Sequence, residues 1–462
     1  MDYDVIIIGA GLSGLAAGVR LTHFGRKVRL FERHCFPGGL NSYYYRQGEV
    51  IDVGLHALTN YVTAKDRSAP LNKMLRQLRL RREDLQLCPQ TYSLIEFPGR
   101  QLKMSNNFAA FSAEIAEKFP DQVAGFEKLV ERIRFSDCFI SEAPFASARE
   151  IVAEYLSSEP LREFLFLPLM YYGNPRVGDM DFKQFCILFH SIFLEGLSRP
   201  REGMKSFIQK LVERIRKAGG EVSLGNGIIQ LHGDEKQITS VTDEEGQTHY
   251  AKTFISCIGA GETAALCQPP PPELLQAKPG QIGFLETIFK LAQPAKDFGL
   301  LACTIFRNLR PVFHYAPPAN PVDYDCQVYC MPGNYAGCEQ IPAACQLRMT
   351  HLANPTYWLN LSSEAYQRAK KEVLERQKEI LSASWPRLVP AILSAEVMTP
   401  KTVLRYTGHL NGSIYGSPDK FSSGKCSRNN LFLCGTDQGL LGIVGSLISG
   451  ISVVNRHVFT ST

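Results

Sequence analysis

The sequence lacks a long block of lysine and arginine residues. Its 50 basic and 45 acidic residues give a formal net charge of +5, spread along 462 residues. Nucleic-acid-binding proteins usually concentrate their basic residues into a patch that neutralises phosphates. The charge pattern therefore predicts no nucleic-acid partner.

The sequence also lacks an apolar run of about 20 residues, the length that predicts a membrane-spanning helix. The uncharged run 439–454 is short and contains four glycines, so we interpret it as a buried helix packed closely on a neighbour. The basic stretch 73–82 places cations and leucines on alternate faces of a helix. It predicts either a helix on an anionic membrane surface or a solvated helix end. Peripheral membrane contact is therefore an open alternative.

Paired cysteine motifs are absent, although the chain has 13 cysteines. Four of them lie between residues 326 and 345, without the C-x-x-C spacing of zinc or iron–sulfur ligands. The apolar run 5–17 follows the acidic start Met1-Asp2-Tyr3-Asp4, where a secretion signal needs positive charge. We therefore expect reduced thiols, no bound metal and a cytoplasmic location, with the membrane surface as the alternative.

What the sequence does contain is a complete dinucleotide-binding pattern at its N-terminus. The apolar run 4–8 predicts a central parallel strand, and a helix rich in small residues follows at 15–21. Between them lies Gly9-Ala-Gly11-Leu12-Ser13-Gly14. Gly9 permits the tight turn, Gly11 lets a diphosphate approach the backbone, and Gly14 lets helix and strand pack closely. The helix N-terminus presents N–H groups to the phosphates.

A carboxylate follows at the expected distance. The second predicted strand, 27–31, ends at Glu32, where an acid accepts hydrogen bonds from ribose hydroxyls. Strand, turn, helix and acid together predict a bound dinucleotide. They do not say which one.

The next residues resemble a known superfamily. Arg33 precedes the turn Gly38-Gly39-Leu40-Asn41 and the segment Asp52-Val-Gly54-Leu-His56. This passage resembles the FAD-dependent amine oxidase and phytoene desaturase superfamily, in which Glu-x(n)-Gly-Gly-Arg-x-x-Ser and a later Asp-x-Gly flank the flavin. The resemblance implies FAD as the cofactor. Leu40 replaces the usual arginine of that pattern, which counts against an amine oxidase proper.

The C-terminal segment resembles the same superfamily. The run 431–434 predicts a buried strand that leads through Gly435-Thr436-Asp437 into the glycine-rich helix with Gly442 and Ile443. In the family this strand and helix return to the N-terminal domain. The resemblance therefore assigns Asp437 to the ribityl–diphosphate part of FAD, with Gly435 and Thr436 beside it.

A middle segment completes the resemblance. Residues 200–204 match the family's Pro-x-Gly-Gly-Met motif, with Glu202 in place of the first glycine, and a helix is predicted at 205–217. The family then has a strand whose aliphatic residue pairs its backbone with adenine, and Ile228 is the candidate for that role.

These pieces predict an α/β fold with a discontinuous, Rossmann-like FAD-binding domain of the two-dinucleotide-binding-domain flavoprotein type. The domain comprises residues 1–65, 200–262 and 400–462. Two insertions form an α+β substrate domain: 66–199, with a helical pattern, and 263–399, with strands at 284–291, 303–306 and 326–331 and a charged helix at 364–382. The predicted cofactor-binding residues are Gly9, Gly11, Leu12, Ser13, Gly14, Glu32, Arg33, Gly38, Gly39, Leu40, Asn41, Gly54, His56, Ile228, Gly435, Thr436, Asp437, Gly442 and Ile443.

The insertions are rich in aromatic residues. Phe182, Phe185, Phe189 and Phe193 recur at helical spacing on one face, which predicts either core packing or a lipophilic tunnel to the flavin. The segment 405–416 followed by 432–437 resembles the bacterial phytoene desaturase, carotenoid isomerase and retinol saturase group. Members of that group desaturate, saturate or isomerise long isoprenoid polyenes, as peripheral enzymes that take the substrate from a membrane.

The resemblance implies a FAD-dependent oxidoreductase that acts on CH–CH bonds of a lipophilic polyene such as a carotenoid, by hydride transfer to flavin N5. A nearby group handles the proton, and His56, Arg405 and Tyr406 are the candidates. Amine oxidation is one alternative, and flavin-dependent cis–trans isomerisation or a retinol saturase-like reaction is another. The sequence leaves the oligomeric state open.

Overall fold

A computed structural model describes residues 2–136 and 144–460, so residues 1, 137–143 and 461–462 of the predicted pieces lie outside the described part. The strands are β1 (Tyr3–Ile8), β2 (Val28–Glu32), β3 (Tyr43–Arg46), β4 (Glu49–Asp52), β5 (Leu87–Pro89), β6 (Ser93–Phe97), β7 (Arg100–Met104), β8 (Ser198–Pro200), β9 (Glu221–Leu224), β10 (Ile228–Gly233), β11 (Ile238–Asp243), β12 (Thr248–Ser256), β13 (Cys267–Gln268), β14 (Gly283–Leu291), β15 (Thr304–Asn308), β16 (Cys326–Cys330), β17 (Gln346–Ala353), β18 (Ile392–Met398) and β19 (Leu431–Leu433). The helices are α1 (Leu12–His23), α2 (Pro70–Gln77), α3 (Phe108–Lys118), α4 (Val123–Phe135), α5 (Ala148–Tyr155), α6 (Glu159–Gly173), α7 (Phe182–Phe189), α8 (Gly203–Lys217), α9 (Ala260–Leu266), α10 (Pro272–Leu275), α11 (Pro355–Leu359), α12 (Ser363–Ser384), α13 (Pro400–Thr407) and α14 (Gly442–Val453).

The first sheet contains strands from all three chain segments of the predicted FAD-binding domain. Its order is β13-β10-β11-β12-β1-β2-β9, and β19 pairs with β12. The strand β1 runs parallel to both β2 and β12, and β19 runs parallel to β12. Parallel strands are buried on both faces, which explains why Val5, Ile6 and Ile7 form an uninterrupted apolar run.

Glycines allow α1 to pack against the turn after β1, and α14 to pack against α1. A Cβ atom at Gly14 would lie 2.1 Å from the carbonyl oxygen of Gly9, so only glycine allows α1 to approach the β1 turn. A Cβ atom at Gly450 would lie 2.0 Å from the carbonyl oxygen of Ser13. The uncharged run 439–454 is therefore a buried helix packed on α1, as predicted.

The second sheet is formed by both insertions. Its order is β18-β14-β17-β16-β15-β6-β7, and β6 pairs in parallel with β15. Segment 66–199, predicted with a helical pattern, contains α2 to α7 but also supplies β6 and β7 to this sheet. The residues of β6 alternate between buried and half-buried positions, the period of a strand with one covered face.

The phenylalanine stripe of the first insertion is core. Phe182, Phe185, Phe189 and Phe193 are at most 8% exposed, and the ring of Phe193 stacks on that of Phe111 with centroids 4.7 Å apart. These rings contact each other and neighbouring helices, so core packing is the correct interpretation. The tunnel prediction is wrong for this stripe.

The basic stretch 73–82 turns its leucines inward. Leu75, Leu78 and Leu80 are buried in the same hydrophobic cluster as α1, while Arg76 and Arg79 are exposed. Its apolar face is thus covered by the protein itself, as in a solvated helix end. Within residues 2–136 and 144–460, no helix has both the length and the apolar character needed to cross a membrane.

Candidate active site

A single large cavity contains nearly all of the predicted site residues. Its volume is about 1830 Å³, and it extends from the carboxyl ends of β1 and β2 to β14 of the second sheet. The predicted residues that line it are Gly9, Gly11, Leu12, Ser13, Glu32, Arg33, Gly38, Gly39, Leu40, Asn41, Gly54, His56, Ile228, Arg405, Tyr406, Gly435, Thr436, Gly442 and Ile443.

Two glycine-rich loops lie side by side at one end of the cavity. The amide of Gly38 donates to the carbonyl of Ala10 at 2.8 Å, and a Cβ atom at Gly39 would lie 3.3 Å from Cα of Gly11. A Cβ atom at Gly11 itself would meet no protein atom within 4 Å. The position is thus open toward the cavity and leaves backbone room for a diphosphate.

The carboxylate of Glu32 is fixed at the same end. It accepts hydrogen bonds from the amides of Ala10 at 2.8 Å and of His34 at 2.9 Å. Burial raises the pKa of Glu32, and these two amides oppose the rise. Each carboxylate oxygen has a second lone pair, so the group can also accept from ribose hydroxyls.

Two predicted residues do not face the cavity. Gly14 lies beneath the loop, in the packing role that the motif assigns to it. The carboxylate of Asp437 is 3% exposed and accepts from the amides of Ala260 at 2.7 Å and Ser417 at 2.8 Å. The side chain of Asp437 holds two loops together and does not line the cavity, whereas Gly435 and Thr436 do; its contact with the ribityl–diphosphate stays a prediction.

The lining residues fit an extended dinucleotide. The open position at Gly11, the fixed carboxylate of Glu32, the first turn of α1 and the β10 residue Ile228 belong to one continuous surface. Backbone amides at a helix N-terminus and a buried ribose-binding acid are the donor and acceptor set that such a cofactor requires.

A buried ionic network, which the sequence did not reveal, lies farther along the cavity. His56 Nε2 is 2.8 Å from Glu286 Oε2, and Arg348 Nε donates to Glu286 Oε1 at 2.7 Å. Burial alone would raise the pKa of Glu286, but Arg348 and His56 outweigh burial and lower it to about 2. Glu286 is therefore an ionised carboxylate held between two nitrogen groups.

The network extends from Arg348 to Asp52, the last residue of β4. The side chain of Arg348 is fully buried, and its Nη2 donates to the carbonyl of Asp52 at 3.0 Å. The carboxylate of Asp52 in turn pairs with Arg199 at 2.6 Å and accepts from the amide of Met204 at 2.8 Å. Both insertions are thereby tied to the loop that carries His56.

One local signal did point to Glu286. It lies in the predicted strand 284–291, two residues after Phe284, so both side chains project from the same face of β14. Both line the cavity. Arg348 gave no such signal, because its partners are separated from it by 62 and 296 residues along the chain.

Aromatic and aliphatic side chains form the wall beyond this network. The rings of Tyr171 and Phe284 stack with centroids 5.1 Å apart, and Tyr415 meets Phe284 edge-on at 6.0 Å. We call this surface the aromatic wall; its residues are Tyr171, Tyr172, Phe284, Phe306, Val328, Ile414 and Tyr415.

Arg405 and Tyr406 line the cavity beside the segment that follows Glu32. Both are exposed, and Arg33 Nη2 donates to the carbonyl of Arg405 at 2.9 Å, while the ring of Tyr406 meets His34 edge-on. They therefore contact the segment that follows Glu32, not the loop of His56. All three predicted catalytic residues line the cavity, but among the described residues no hydrogen bond, ion pair or ring contact joins His56 to Arg405 or Tyr406.

Comparisons with known proteins agree with this geometry. Residues 12–288, more than half of the chain, match the family model of flavin containing amine oxidoreductases. A phytoene desaturase (lycopene-forming) of Pantoea ananas is 27% identical over 54% of this chain, and the match spans about half of that relative's length. An all-trans-retinol 13,14-reductase of Danio rerio is 22% identical over 99% of this chain and 87% of its own length.

The fold recurs among solved structures. An oxidoreductase from Methanosarcina mazei superimposes with a TM-score of 0.69 at 17% identity, covering 98% of this chain and 100% of that protein. With the family match and a cavity that fits FAD, the chain belongs to the flavin containing amine oxidoreductase family.

Proposed function

We propose that the protein catalyses oxidation or reduction of a carbon–carbon bond in a lipophilic isoprenoid polyene. The observation that carries this proposal is the aromatic wall, which continues the cavity in which the dinucleotide loops lie. An apolar, largely aromatic surface binds a hydrocarbon chain by removing it from water. The match to a retinol reductase along nearly the whole chain supports the same substrate class.

Bound FAD supplies the two-electron chemistry, in which a hydride equivalent is exchanged with a substrate carbon. The residues of this chain then have two tasks. The aromatic wall orients the polyene and excludes water, and His56, at the polar end of that wall, takes up or returns the proton. Arg405 and Tyr406 have no part in this proposal, because they contact the segment after Glu32.

The pairing of Glu286 disfavours binding of an amine substrate at that carboxylate. An amine substrate carries an ammonium group that a free carboxylate would attract, but Glu286 is already paired with Arg348 and His56. Leu40 also replaces the arginine of the family pattern. Polyene isomerisation fits the same aromatic wall, and product analysis separates it from redox chemistry.

The experiment uses purified holoenzyme under anaerobic conditions. Isoprenoid alcohols and carotenes in detergent micelles are added, and the flavin absorbance and the product mass are recorded. The proposal predicts bleaching or reoxidation of the flavin, with a product that differs from the substrate by two hydrogen atoms. An unchanged mass would identify an isomerase, and peroxide formed from amines without any polyene turnover would contradict the proposal.

A matched pair of isosteric variants tests the wall itself. Val328 lines the cavity, whereas Val373 is equally buried in α12, away from the cavity. Val328→Thr places a hydroxyl against the polyene, so we expect kcat/KM to fall about tenfold, the effect of an unpaired polar group worth about 1.4 kcal/mol. Val373→Thr serves as the control for stability and is expected to leave kcat/KM unchanged.

A further inference from the structure

We infer that Glu286 and Arg348 are positioning residues, which hold His56 in the tautomer that presents a proton-accepting nitrogen to the cavity. The use of that nitrogen as a proton acceptor rests on the proposed function, whereas the tautomer of His56 does not. The arrangement itself is a property of the protein.

The first step concerns the imidazole. An ionised carboxylate can only accept hydrogen bonds, so His56 Nε2, 2.8 Å from Glu286 Oε2, carries the hydrogen of that contact. In a neutral imidazole the other nitrogen, Nδ1, then has a lone pair. Since His56 lines the cavity, Nδ1 is the nitrogen that can take a proton from a bound molecule.

The second step concerns the backbone of His56. The hydroxyl of Tyr335 donates to its carbonyl at 3.2 Å, and the thiol of Cys330 donates to the same carbonyl at 3.6 Å. Both donors belong to the second insertion. The main chain of His56 is thus held by these two donors and its ring by Glu286. The hydroxyl of Thr350 also lies 3.4 Å from Nε2.

The third step concerns charge. Arg199 pairs with the carboxylate of Asp52, and Arg348 pairs with that of Glu286 while donating to the main-chain carbonyl of Asp52. These two cations and two anions are balanced when His56 is neutral. A proton taken up at Nδ1 makes His56 a cation beside the ionised Glu286. Arg348 keeps the carboxylate of Glu286 ionised despite its burial. The charge of Arg348 therefore affects His56 indirectly, because the ionised Glu286 stabilises the protonated imidazole.

His56 and Glu286 form a carboxylate–imidazole pair. In such a pair the carboxylate fixes the tautomer and stabilises the imidazolium that forms. In the desaturating direction, a substrate C–H bond breaks and an N–H bond forms at Nδ1. The electron pair of the broken bond stays in the substrate as part of the new C=C bond. Oxidised FAD, where bound, would be the acceptor for the second hydrogen and its electron pair.

The test compares Glu286→Gln with Glu96→Gln. Glu96 lies in β6 of the same sheet and pairs with Arg307 Nε at 2.6 Å, but it does not line the cavity, so it controls for loss of a Glu–Arg pair. The first readout needs no substrate: ¹⁵N chemical shifts of histidine-labelled protein, with His56 assigned by its absence in His56→Gln. The wild type and Glu96→Gln are expected to show His56 with the hydrogen on Nε2, and Glu286→Gln a mixture of both tautomers.

The second readout is the rate of polyene-dependent flavin reduction. Glu286→Gln is expected to lower this rate at least tenfold, because the imidazolium that forms loses its anionic neighbour. Glu286→Asp should restore part of the rate, and flavin content should stay at the wild-type level in all these variants. Failure of the wild type to react with any polyene would count against the proposed function and leave the tautomer result to decide this inference.

If Glu286→Gln does not fold, the double variant Glu286→Gln/Arg348→Met removes both charges of the pair and avoids leaving Arg348 uncompensated. It should show the same mixture of tautomers. The inference would be overturned by a wild-type His56 with its hydrogen on Nδ1, or by a variant that keeps the Nε2–H tautomer and the wild-type rate.

Discussion

At the scale of single residues, Gly11 and Gly14 differ in the space around them, since Gly11 is open toward the cavity and Gly14 is tightly packed. Gly11 has φ −61° and ψ 171°, a conformation open to alanine, and its Cβ would meet no protein atom. Gly11→Ala should therefore change the free energy of unfolding of the apoprotein by less than about 1 kcal/mol. The added methyl group occupies cavity space beside the diphosphate, so we expect FAD affinity to fall at least tenfold in a flavin fluorescence titration.

Gly14→Ala is the matched contrast. Its Cβ would lie 2.1 Å from the carbonyl oxygen of Gly9, so the variant must shift α1 or the loop. Forcing atoms into a packed site costs about 1–3 kcal/mol, which should appear as a lower denaturation midpoint of the apoprotein. Equal FAD affinity of Gly11→Ala and the wild type would contradict the assignment of this loop to the diphosphate.

Glu195 provides a pH prediction at the same scale. Burial raises its pKa to about 7, and Asn60, which donates to it at 2.7 Å, only partly opposes the rise. Between pH 4.5 and 7 the folded protein keeps a proton that the unfolded chain has lost, so the free energy of unfolding falls as pH rises. The whole effect is about 3 kcal/mol at 1.36 kcal/mol per unit of pKa, and no more is lost above pH 7.

The measurement compares wild type with Glu195→Gln by urea unfolding at pH 5 and pH 8. The amide has the same shape and does not ionise, so the variant should lose less stability between the two pH values. Glu83→Gln, at an exposed glutamate, is the control and should follow the wild type. Parallel pH dependence of all three proteins would show that Glu195 ionises freely in the fold.

Prediction from sequence located residues of the cavity and of the turn beneath it where the motif is local. Gly9, Gly11, Gly14 and Glu32 could be recognised because the motif fixes their spacing around one turn. Glu286 and Arg348 could not be recognised in this way, because a buried ion pair depends on partners that only the tertiary structure brings together. Asp437 shows the limit of a role carried over from a family, because its carboxylate accepts from two loop amides and does not line the cavity.

At the scale of elements, the contact between α1 and α14 makes a sharp prediction. A Cβ at Gly450 would lie 2.0 Å from the carbonyl oxygen of Ser13, in the first turn of α1. Gly450→Ala should therefore separate the helices and lower the free energy of unfolding by about 1–3 kcal/mol. Urea unfolding measures this loss, and Ser452→Ala, at a half-buried position of the same helix, is the control. Equal stability of the two variants would show that α14 can shift without cost.

Elements were predicted well where apolar residues follow a helical or strand period. The helix predicted at 205–217 is α8, and the charged helix predicted at 364–382 is α12. The strand β17 was missed because all eight of its residues are buried, including Arg348, Thr350 and His351. A central strand that carries buried polar side chains shows neither alternation nor an apolar run, so the pattern is lost.

At the scale of the whole molecule, the first sheet explains how much of the architecture the sequence could predict. Its strands come from three segments separated by more than 100 residues, and the dinucleotide motif located only the first of them by physics alone. The other two were assigned by family resemblance. The pairing of β6 with β15 across the two insertions had no local signal, since parallel strands far apart in sequence are joined only in the folded chain.

Because the cavity draws its lining from those separated segments, FAD should stabilise the whole molecule. A ligand that binds only the folded state adds RT ln(1 + [L]/Kd), about 2.7 kcal/mol at a free concentration one hundred times Kd. Removal of FAD should therefore lower the melting temperature, and added FAD should restore it. Gly11→Ala should show little of this gain at the same FAD concentration, and ADP, which offers only the adenosine diphosphate half, should give a smaller gain in the wild type. A colourless folded protein whose melting temperature does not respond to FAD would contradict the claim that these three segments form one flavin site.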